Sequence, residues 1–296
     1  MKKLLKRGGI LLSALLISAS ALAVPSSAAT LIPIKTNTVT SLSVSAHAPV
    51  PVYHGGTRLS VDARLISSTT YVPLRAFYEA LYPGAKVTYD AATKTARVEG
   101  DGLSVSASVG SSVLYANGRC FYSPSPIVIL SDGRLYVPVR SLAETLSLEV
   151  SWNESARSVS LKGKATPLKS ASAVYNEEDL YWLSRIISAE SRGEPLLGQI
   201  AVGTVVLNRV ASSQYPSTVK GVVFDRKYGV QFSPVLDGSI YKTHTASAVT
   251  AAKICLEGYT VSDRILFFFA PKVVSSSWIS KTRPYAFTIA NHRFYN

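Results

Sequence analysis

The chain contains an internal duplication, and this repeat constrains its fold more than any other feature of the sequence. Three blocks recur in the same order: VYHGGTRL at residues 52–59 and LYANGRCF at 114–121, YVPLRAFYEAL at 71–81 and YVPVRSLAETL at 136–146, and VTYDAATKTARVEG at 87–100 and VSWNESARSVSLKG at 150–163. Their spacing defines a repeat of about 63 residues, which indicates a duplicated structural unit. We call residues 52–100 the first copy and residues 114–163 the second copy.

Each copy has the same order of local patterns. A strand, a glycine turn and a second strand ending in Tyr-Val-Pro precede a short segment with apolar residues at helical spacing. A hairpin then closes each copy, with its turn at Asp90 or Asn153. The sequence therefore predicts a small module of mixed helices and strands, built twice.

Residues 49–164 resemble the copper amine oxidase N-terminal-like domain, an accessory module of many exported bacterial wall proteins, through the YVPLR and YVPVR motifs. The resemblance does not imply copper here, because His47 and His54 have no further histidine, methionine or paired carboxylate to complete a site. Arg75 and Arg140 are candidates for gripping a polyanion. The alternative is that both arginines cap a helix or pair locally.

The amino terminus, MKKLLKRGGILLSALLISASALAVPSSAA, predicts a signal peptide over residues 1–29. Four basic residues precede an apolar run that is too short to span a bilayer, and small residues follow it. We expect an exported protein of the cell wall or spore envelope, without stable membrane insertion after cleavage. Residues 30–48 and 165–175 read as linkers, and residues 176–296 as a catalytic domain.

The net charge of +13 falls to about +9 once the four basic residues of the signal segment are removed. An exported basic protein is drawn to polyanions, and we expect anionic wall polymers rather than nucleic acid, for which the sequence has no motif. The two cysteines, Cys120 and Cys255, are far apart and predict buried free thiols. Export leaves a disulfide between them open.

A carboxylate stands at the end of an amphipathic helix. Asn176 followed by three acids predicts the helix start, and apolar residues at spacings of three and four lead to Glu190 on the buried face. A second helix from Pro195 would bring Asn208 inward beside it. Burial and the negative helix end would raise the pKa of Glu190 enough to protonate a leaving oxygen near neutral pH. The alternative is that Glu190 simply pairs with Arg192 or Arg209.

Four blocks of the second half resemble the SleB/CwlJ-type cell wall hydrolases, the spore-cortex-lytic enzyme family. They are LSRIISAESRGEPLLGQIAVGTVVLNRV at 183–210, QFSPVLDG at 231–238, FFFAPKVVSSSWI at 267–279 and IANHRFY at 289–295. The resemblance implies an α+β protein with a lysozyme-like, mainly helical catalytic domain carrying a small sheet. It also implies cleavage of peptidoglycan between N-acetylmuramic acid and N-acetylglucosamine, on spore cortex or ordinary wall.

The same resemblance implies a lytic transglycosylase in which Glu190 acts first as acid and then as base. Family matches suggest the substrate-binding residues: Glu194, Gln199, Asn208, Gln231, Ser233, Tyr285 and His292. A hydrolase of the same bond would need a second carboxylate, for which Glu194 and Asp237 are candidates. No cofactor or metal is implied, and a regulatory partner protein stays open.

Three other classes compete with this interpretation. A zinc amidase needs several histidines at ligand spacing, and this region has only His244 and His292. A cysteine peptidase needs its thiol near a helix amino terminus, whereas Cys255 follows late in its predicted helix. A non-catalytic wall-binding protein fits the charge and the duplicated module equally well, and the presence of Glu190 argues against it.

Overall fold

The computed structural model describes residues 43–227, 229–272 and 278–296. The predicted signal peptide and most of the predicted 30–48 linker lie outside the described residues. Within these ranges no helix is both long and apolar enough to cross a membrane. Residues 41–296 form one compact unit.

The described residues contain the five helices that the sequence predicts and three short helices that it does not. In chain order they are α1 (Leu74–Leu81), α2 (Val139–Thr145), α3 (Ala171–Val174), α4 (Glu177–Ser191), α5 (Leu196–Ala211), α6 (Val219–Val223), α7 (Ala246–Leu256) and α8 (Trp278–Thr282). The sequence predicts α1, α2, α4, α5 and α7, and it does not predict the short helices α3, α6 and α8. Short 3₁₀ turns cover Val44–Ala46, Ser233–Val235 and Ser239–Tyr241.

The strands belong to four sheets. In chain order they are β1 (Ala48–Pro49), β2 (Val52–His54), β3 (Thr57–Arg58), β4 (Arg64–Ile66), β5 (Thr69–Pro73), β6 (Lys86–Asp90), β7 (Thr95–Gly100), β8 (Leu103–Ser108), β9 (Val113–Ala116), β10 (Arg119–Tyr122), β11 (Val128–Ile129), β12 (Leu135–Pro138), β13 (Glu149–Asn153), β14 (Ser158–Lys162), β15 (Phe267–Phe269), β16 (Tyr285–Ile289) and β17 (His292–Tyr295). The sheet orders are β1-β4-β5-β12-β11, β10-β9-β8-β7-β6, β13-β14-β2-β3 and β15-β17-β16. The α+β class predicted from the sequence is confirmed.

The two copies meet at a symmetric strand pair. Val72 of β5 lies opposite Val137 of β12, and these two residues occupy the same position in the repeated Tyr-Val-Pro motif. On either side, the tyrosine of one copy lies opposite the proline of the other. The duplicated sequence therefore folds as two equivalent halves related by a local two-fold axis.

The copies also exchange hairpins. The β2–β3 hairpin belongs to the first copy in sequence, yet β2 pairs in parallel with β14 of the second copy, with Val52 opposite Val159. Both equivalent hairpins turn through residues with positive φ, Gly55 and Gly56 in one and Asn117 and Gly118 in the other. Such Gly-Gly and Asn-Gly turns match the twist of paired strands. The exchange explains why both copies contribute to one hydrophobic core.

The carboxy-terminal region is built around α4, α5 and α7. Asn176 caps α4 by accepting hydrogen bonds from the backbone N–H groups of Glu178 and Asp179, as the sequence predicts. Gly203 lets α5 approach its neighbours, because a Cβ there would lie 2.7 Å from Cys255 Sγ and 2.9 Å from an Ile187 methyl carbon. The β15-β17-β16 sheet packs beside these helices, with Phe294 in the shared core.

The module and the carboxy-terminal region share buried residues. Val113 and Cys120 belong to the same hydrophobic cluster as the residues of α4, α5 and α7, including Cys255. Both cysteines are free and buried, as predicted, and burial raises the pKa of Cys120 to about 11 and that of Cys255 to about 12. The two thiols thus lie in one core and not in separate domains.

A buried ion pair joins the same two regions. Arg119 Nε donates to Glu257 Oε1 at 2.7 Å, Arg119 Nη2 donates to Oε2 at 2.5 Å, and the hydroxyl of Tyr175 donates to the same carboxylate. Lys253 Nζ adds a hydrogen bond to the carbonyl of Gly118 at 2.6 Å.

The segment 165–175, which reads as a linker in the sequence, contains α3 and the buried side chains of Leu168 and Tyr175.

Candidate active site

Glu190 lies in the last turn of α4 and is half-buried. Burial raises the pKa of its carboxyl to about 7, the negative charge of Asp237 adds to this rise, and the positive charge of Arg209 opposes it. The predicted direction of the shift is confirmed, with burial as its main cause. A carboxyl with this pKa is substantially protonated at neutral pH and can act as a general acid.

The alternative pairing of Glu190 with an arginine is not what the described contacts show. Arg192 Nε donates to the carbonyl of Ser188 at 3.4 Å, and Arg209 Nε donates to the carbonyl of Leu266 at 2.8 Å. Each arginine thus has a backbone acceptor, and Arg209 affects Glu190 only through its charge.

Asp237 supplies the second negative charge near Glu190. It lies between the two 3₁₀ turns Ser233–Val235 and Ser239–Tyr241, both of which pack against α4. Its carboxylate accepts a hydrogen bond from the backbone N–H of Ser239 at 2.8 Å, and hydrogen bonds from Ser239 lower its pKa. Asp237 is therefore charged at neutral pH, which favours the protonated form of Glu190.

Arg209 is a buried cation on α5 that faces aromatic rings. Its guanidinium carbon lies 5.1 Å from the ring centroid of Tyr215, 5.2 Å from that of Phe232 and 5.6 Å from that of Phe267. Its Nη1 is buried without a hydrogen-bond partner among the described residues, and burial lowers its pKa. From the sequence, Arg209 is considered only as a possible partner of Glu190. Its position on the apolar face of α5 could have indicated that it is buried.

Glu194 fastens the start of α5 to the β16–β17 turn. Its carboxylate accepts hydrogen bonds from Asn291 Nδ2 at 2.9 Å and from the backbone N–H of Asn291 at 3.1 Å. His292 Nδ1 lies 3.6 Å from the same carboxylate. Burial acts to raise the pKa of Glu194, but the bonds from Asn291 and the proximity of His292 bring it below its usual value. Asn291 lies in the IANHRFY block, but no local pattern in the sequence predicts its contact with Glu194.

His292 and Gln199 are buried, each with one polar atom that has no hydrogen-bond partner among the described residues, and Asn208 is half-buried and hydrogen-bonded. His292 is 6% exposed and packs against Phe268, with ring centroids 5.4 Å apart. Gln199 is buried and its Nε2 donates to the carbonyl of Glu194 at 2.9 Å. Asn208 Nδ2 donates to the carbonyls of Ser262 and Ile265, each at 2.9 Å, and so holds the 262–265 loop against α5.

Gln231, Ser233 and Tyr285 lie nearer to solvent. Gln231 Nε2 donates to the carbonyl of Gly229 at 3.1 Å. Ser233 is exposed and opens the 3₁₀ turn beside Asp237. Tyr285 is 57% exposed, and its hydroxyl lies 2.9 Å from that of Thr288 on the outer strand β16. The structure therefore brings Ser233 and Asp237 to the helix that carries Glu190, whereas Tyr285 lies on the small sheet.

Two family models match the chain. Residues 193–295 match the cell wall hydrolase family, and residues 55–161 match the copper amine oxidase N-terminal domain. The carboxy-terminal region is a cell wall hydrolase domain. Both resemblances predicted from the sequence are thereby confirmed. The matched residues of the hydrolase domain begin at Gly193, directly after the end of α4 that carries Glu190.

Curated relatives of the chain are spore cortex-lytic enzymes. One from Bacillus cereus is 39% identical over 120 residues, which cover 40% of this chain and 45% of the relative. One from Bacillus subtilis is 34% identical over 120 residues, which cover 40% of this chain and 38% of the relative. The chain thus spans less than half the length of these relatives.

A solved structure also matches the hydrolase domain. The catalytic domain of the germination-specific lytic transglycosylase SleB from Bacillus anthracis is 38% identical, with a TM-score of 0.38, over 41% of this chain and 97% of that domain. Across the described ranges of this chain, no group of three or more His, Cys, Asp or Glu side chains is placed to hold a metal ion.

Proposed function

We propose that this protein is an exported enzyme that cleaves the glycan strand of peptidoglycan between N-acetylmuramic acid and N-acetylglucosamine, as a lytic transglycosylase. The observation that carries the proposal is the pKa of Glu190, which is raised to about 7. Glu190 lies three residues before the start of the match to the cell wall hydrolase family. A glycosidic bond needs a proton on its leaving oxygen, and a carboxylic acid available at neutral pH supplies it.

In the proposed mechanism one carboxyl performs both proton transfers. Glu190 donates its proton to the glycosidic oxygen as the bond to C1 breaks, and the nearby Arg209 cation stabilises the carboxylate that forms. The carboxylate then removes the proton of the muramoyl 6-hydroxyl, whose oxygen attacks C1 and closes a 1,6-anhydro ring. Glu190 returns to its acid form, and no water is consumed.

The remaining site residues take supporting roles in this proposal. Ser233 and Gln231 line the substrate groove beside Glu190, and Tyr285 extends it on the small sheet. Glu194, Gln199, Asn208 and His292 position the helices and the 262–265 loop, because their polar groups are buried or already bonded. We infer a lysozyme-like arrangement for the domain that these residues hold together.

A muramidase-type hydrolase of the same bond is the second candidate, and Asp237 favours it. Its charge acts on Glu190, which makes Asp237 the candidate for the second carboxylate that hydrolysis requires. Glu194 is less suited to that role because Asn291 and His292 occupy its carboxylate. The products separate the two reactions.

The test is digestion of purified peptidoglycan with the full chain, followed by mass spectrometry of the released muropeptides. Products one water molecule lighter than muramic-acid reducing ends support the transglycosylase. Full-mass reducing ends would select the hydrolase and Asp237. Binding without cleavage, on both vegetative wall and spore cortex, would leave a wall-binding protein.

The choice of cortex and the location rest on separate support. Cortex is the first substrate to test because the curated relatives are spore cortex-lytic enzymes. Export rests on the amino-terminal segment of the sequence, and attraction to anionic wall polymers rests on the net charge of about +9 (13 − 4) that remains after its removal.

A further inference from the structure

Two equivalent cavities lie in the duplicated module. One, the first-copy cavity, has a volume of about 420 Å³ and lies beside α1; the other, the second-copy cavity, has a volume of about 580 Å³ and lies beside α2. Both volumes fall in the range of small-molecule binding sites. The two-fold relation between the copies makes them two versions of one site.

The same residue types line both cavities at the same positions of the repeat. The pairs, first copy then second, are Arg75 and Arg140, Glu79 and Glu144, Thr88 and Ser151, and Tyr89 and Trp152. Next to them on the helix, Phe77 and Tyr78 of the first copy correspond to Leu142 and Ala143 of the second. These four pairs have therefore kept their chemistry while the buried neighbours have diverged. Other lining positions differ between the cavities, with Thr69 in one where Arg134 stands in the other.

The arginines hold the same position in both cavities. Arg75 Nη2 donates to the carbonyl of Val87 at 3.2 Å, and Arg140 Nη1 donates to the carbonyl of Val150 at 3.3 Å. This bond fixes each guanidinium at the cavity wall, and both arginines are exposed. The local pairing expected as the alternative to ligand binding is thus present, but it uses one nitrogen and leaves other donors at the wall.

Each cavity takes its opposite wall from the other copy. Ser68 and Thr69 of the β4–β5 turn line the second-copy cavity, and Gly133 and Arg134 of the β11–β12 turn line the first-copy cavity. The two turns occupy equivalent positions of the repeat. A single copy would lack one wall, which gives a reason for the duplication.

We propose that each cavity binds one amino-sugar unit of a peptidoglycan glycan strand. The aromatic ring of Tyr89 or Trp152 offers an apolar face to a pyranose ring, and the indole of Trp152 is held by a hydrogen bond from its Nε1 to Glu154. The guanidinium donates to acetamido and hydroxyl oxygens, and the carboxylate accepts from hydroxyl or amide N–H groups. The choice of this glycan as the ligand rests on the proposed function. The equivalence of the two cavities rests on their lining residues alone.

The test measures binding stoichiometry by calorimetry on the full chain carrying Glu190→Gln, so that the probe is not consumed. The probe is the peptide-free disaccharide of N-acetylglucosamine and N-acetylmuramic acid. We expect two equivalents whose binding depends on the module, in addition to any disaccharide held near residue 190. Trp152→Ala and Tyr89→Ala should each weaken one of the two by about tenfold, and the double variant should weaken both.

Tyr115→Ala is the matched control, since Tyr115 is an aromatic of the module that is 42% exposed and outside both cavities. Unchanged binding by the double variant, equal weakening by Tyr115→Ala, or binding of free stem peptides in place of the disaccharide would each overturn the proposal. Cleavage of soluble glycan fragments by the parent chain is measured separately. If the parent cleaves nothing, the proposed enzymatic function is wrong. The number of disaccharides bound by the module still tests the binding proposal separately.

Discussion

The module and the hydrolase domain each contain a glutamate whose pKa is raised to about 7. Loss of contact with water is the main cause for both, although Glu144 keeps part of its surface in solvent, and a neighbouring carboxylate adds to the shift: Glu257 for Glu144 and Asp237 for Glu190. Their surroundings differ. Two arginines, Arg140 and Arg119, oppose the shift at Glu144, which is exposed and lines a cavity. Glu190 is half-buried, and one buried arginine opposes its shift.

This comparison shows that a raised pKa does not by itself identify a catalytic acid. Glu144 has its equivalent in Glu79 of the other copy, so it belongs to a repeated cavity. Glu190 has no counterpart in the module and stands directly before the residues that match the cell wall hydrolase family. We therefore propose Glu190 as the catalytic acid, and the two glutamates serve as controls for each other.

The largest expected effect separates the two glutamates by activity. Glu190→Gln keeps the side-chain shape and removes the acid, so release of soluble muropeptides should fall by about 100- to 10,000-fold. Glu144→Gln should lose far less activity, at most the roughly tenfold expected when one binding cavity is weakened. Equal losses in both variants, or cleavage that survives Glu190→Gln, would remove the distinction.

The next effect is on stability and concerns Glu257, the carboxylate whose charge acts on Glu144. Glu257→Gln leaves Arg119 with its charge unpaired in a largely buried position, so the free energy of unfolding should fall by about 3 kcal/mol. Chemical denaturation measures this loss. Glu178→Gln is the control, because both side chains of its ion pair with Lys220 are exposed to solvent and its loss should change stability little. A loss no larger than that of the control would show that the Arg119–Glu257 pair does not hold the two regions together.

An effect of similar size compares stability against pH. The folded pKa of Glu190 lies near 7 and its ordinary value is 4.5, so the folded protein binds more protons between these values and loses stability as pH rises through them. Removing the carboxyl removes this loss. The free energy of unfolding of Glu190→Gln, relative to the parent, should therefore be about 3 kcal/mol higher at pH 8 than at pH 4.

The same measurement on Glu144→Gln sharpens the comparison. Water screens the exposed carboxyl of Glu144, so its change between pH 4 and pH 8 should be smaller than that of Glu190→Gln. A change at Glu190 that is absent, or smaller than that at Glu144, would contradict the burial of the catalytic acid.

The smallest effect tests the charge that acts on Glu190. Asp237→Asn removes a negative charge that favours the protonated carboxyl, so the pKa of Glu190 should fall and the alkaline limb of kcat/KM should move to lower pH. The maximal rate should stay close to that of the parent. A large loss of rate at every pH would instead identify Asp237 as a second catalytic carboxylate and favour hydrolysis.

The sequence predicted those features that depend on neighbouring residues. The repeated Tyr-Val-Pro strands, the turn chemistry at Asn117 and Gly118, and the helix cap at Asn176 follow from local patterns, and the structure contains each of them. The position of Glu190 at the end of α4 also follows from helical spacing. Local propensity and periodicity suffice for such features.

Features that depend on distant contacts could not be predicted in this way. The charge of Asp237 reaches Glu190 only because the two 3₁₀ turns pack against α4, and no spacing in the sequence encodes that contact. The exchange of hairpins between the copies, with Val52 opposite Val159, is equally non-local. The common core of Cys120 and Cys255 joins two regions that the sequence separates by a linker.

The most direct test of the account is the pH dependence of kcat/KM for cleavage of soluble glycan fragments by the full chain. If Glu190 donates the first proton, the rate should decline above a pKa of about 7, and Glu144→Gln should show the same decline. A rate that stays level or rises from pH 7 to pH 9 would mean that the reaction uses Glu190 as a carboxylate from the start, and would contradict its role as the acid.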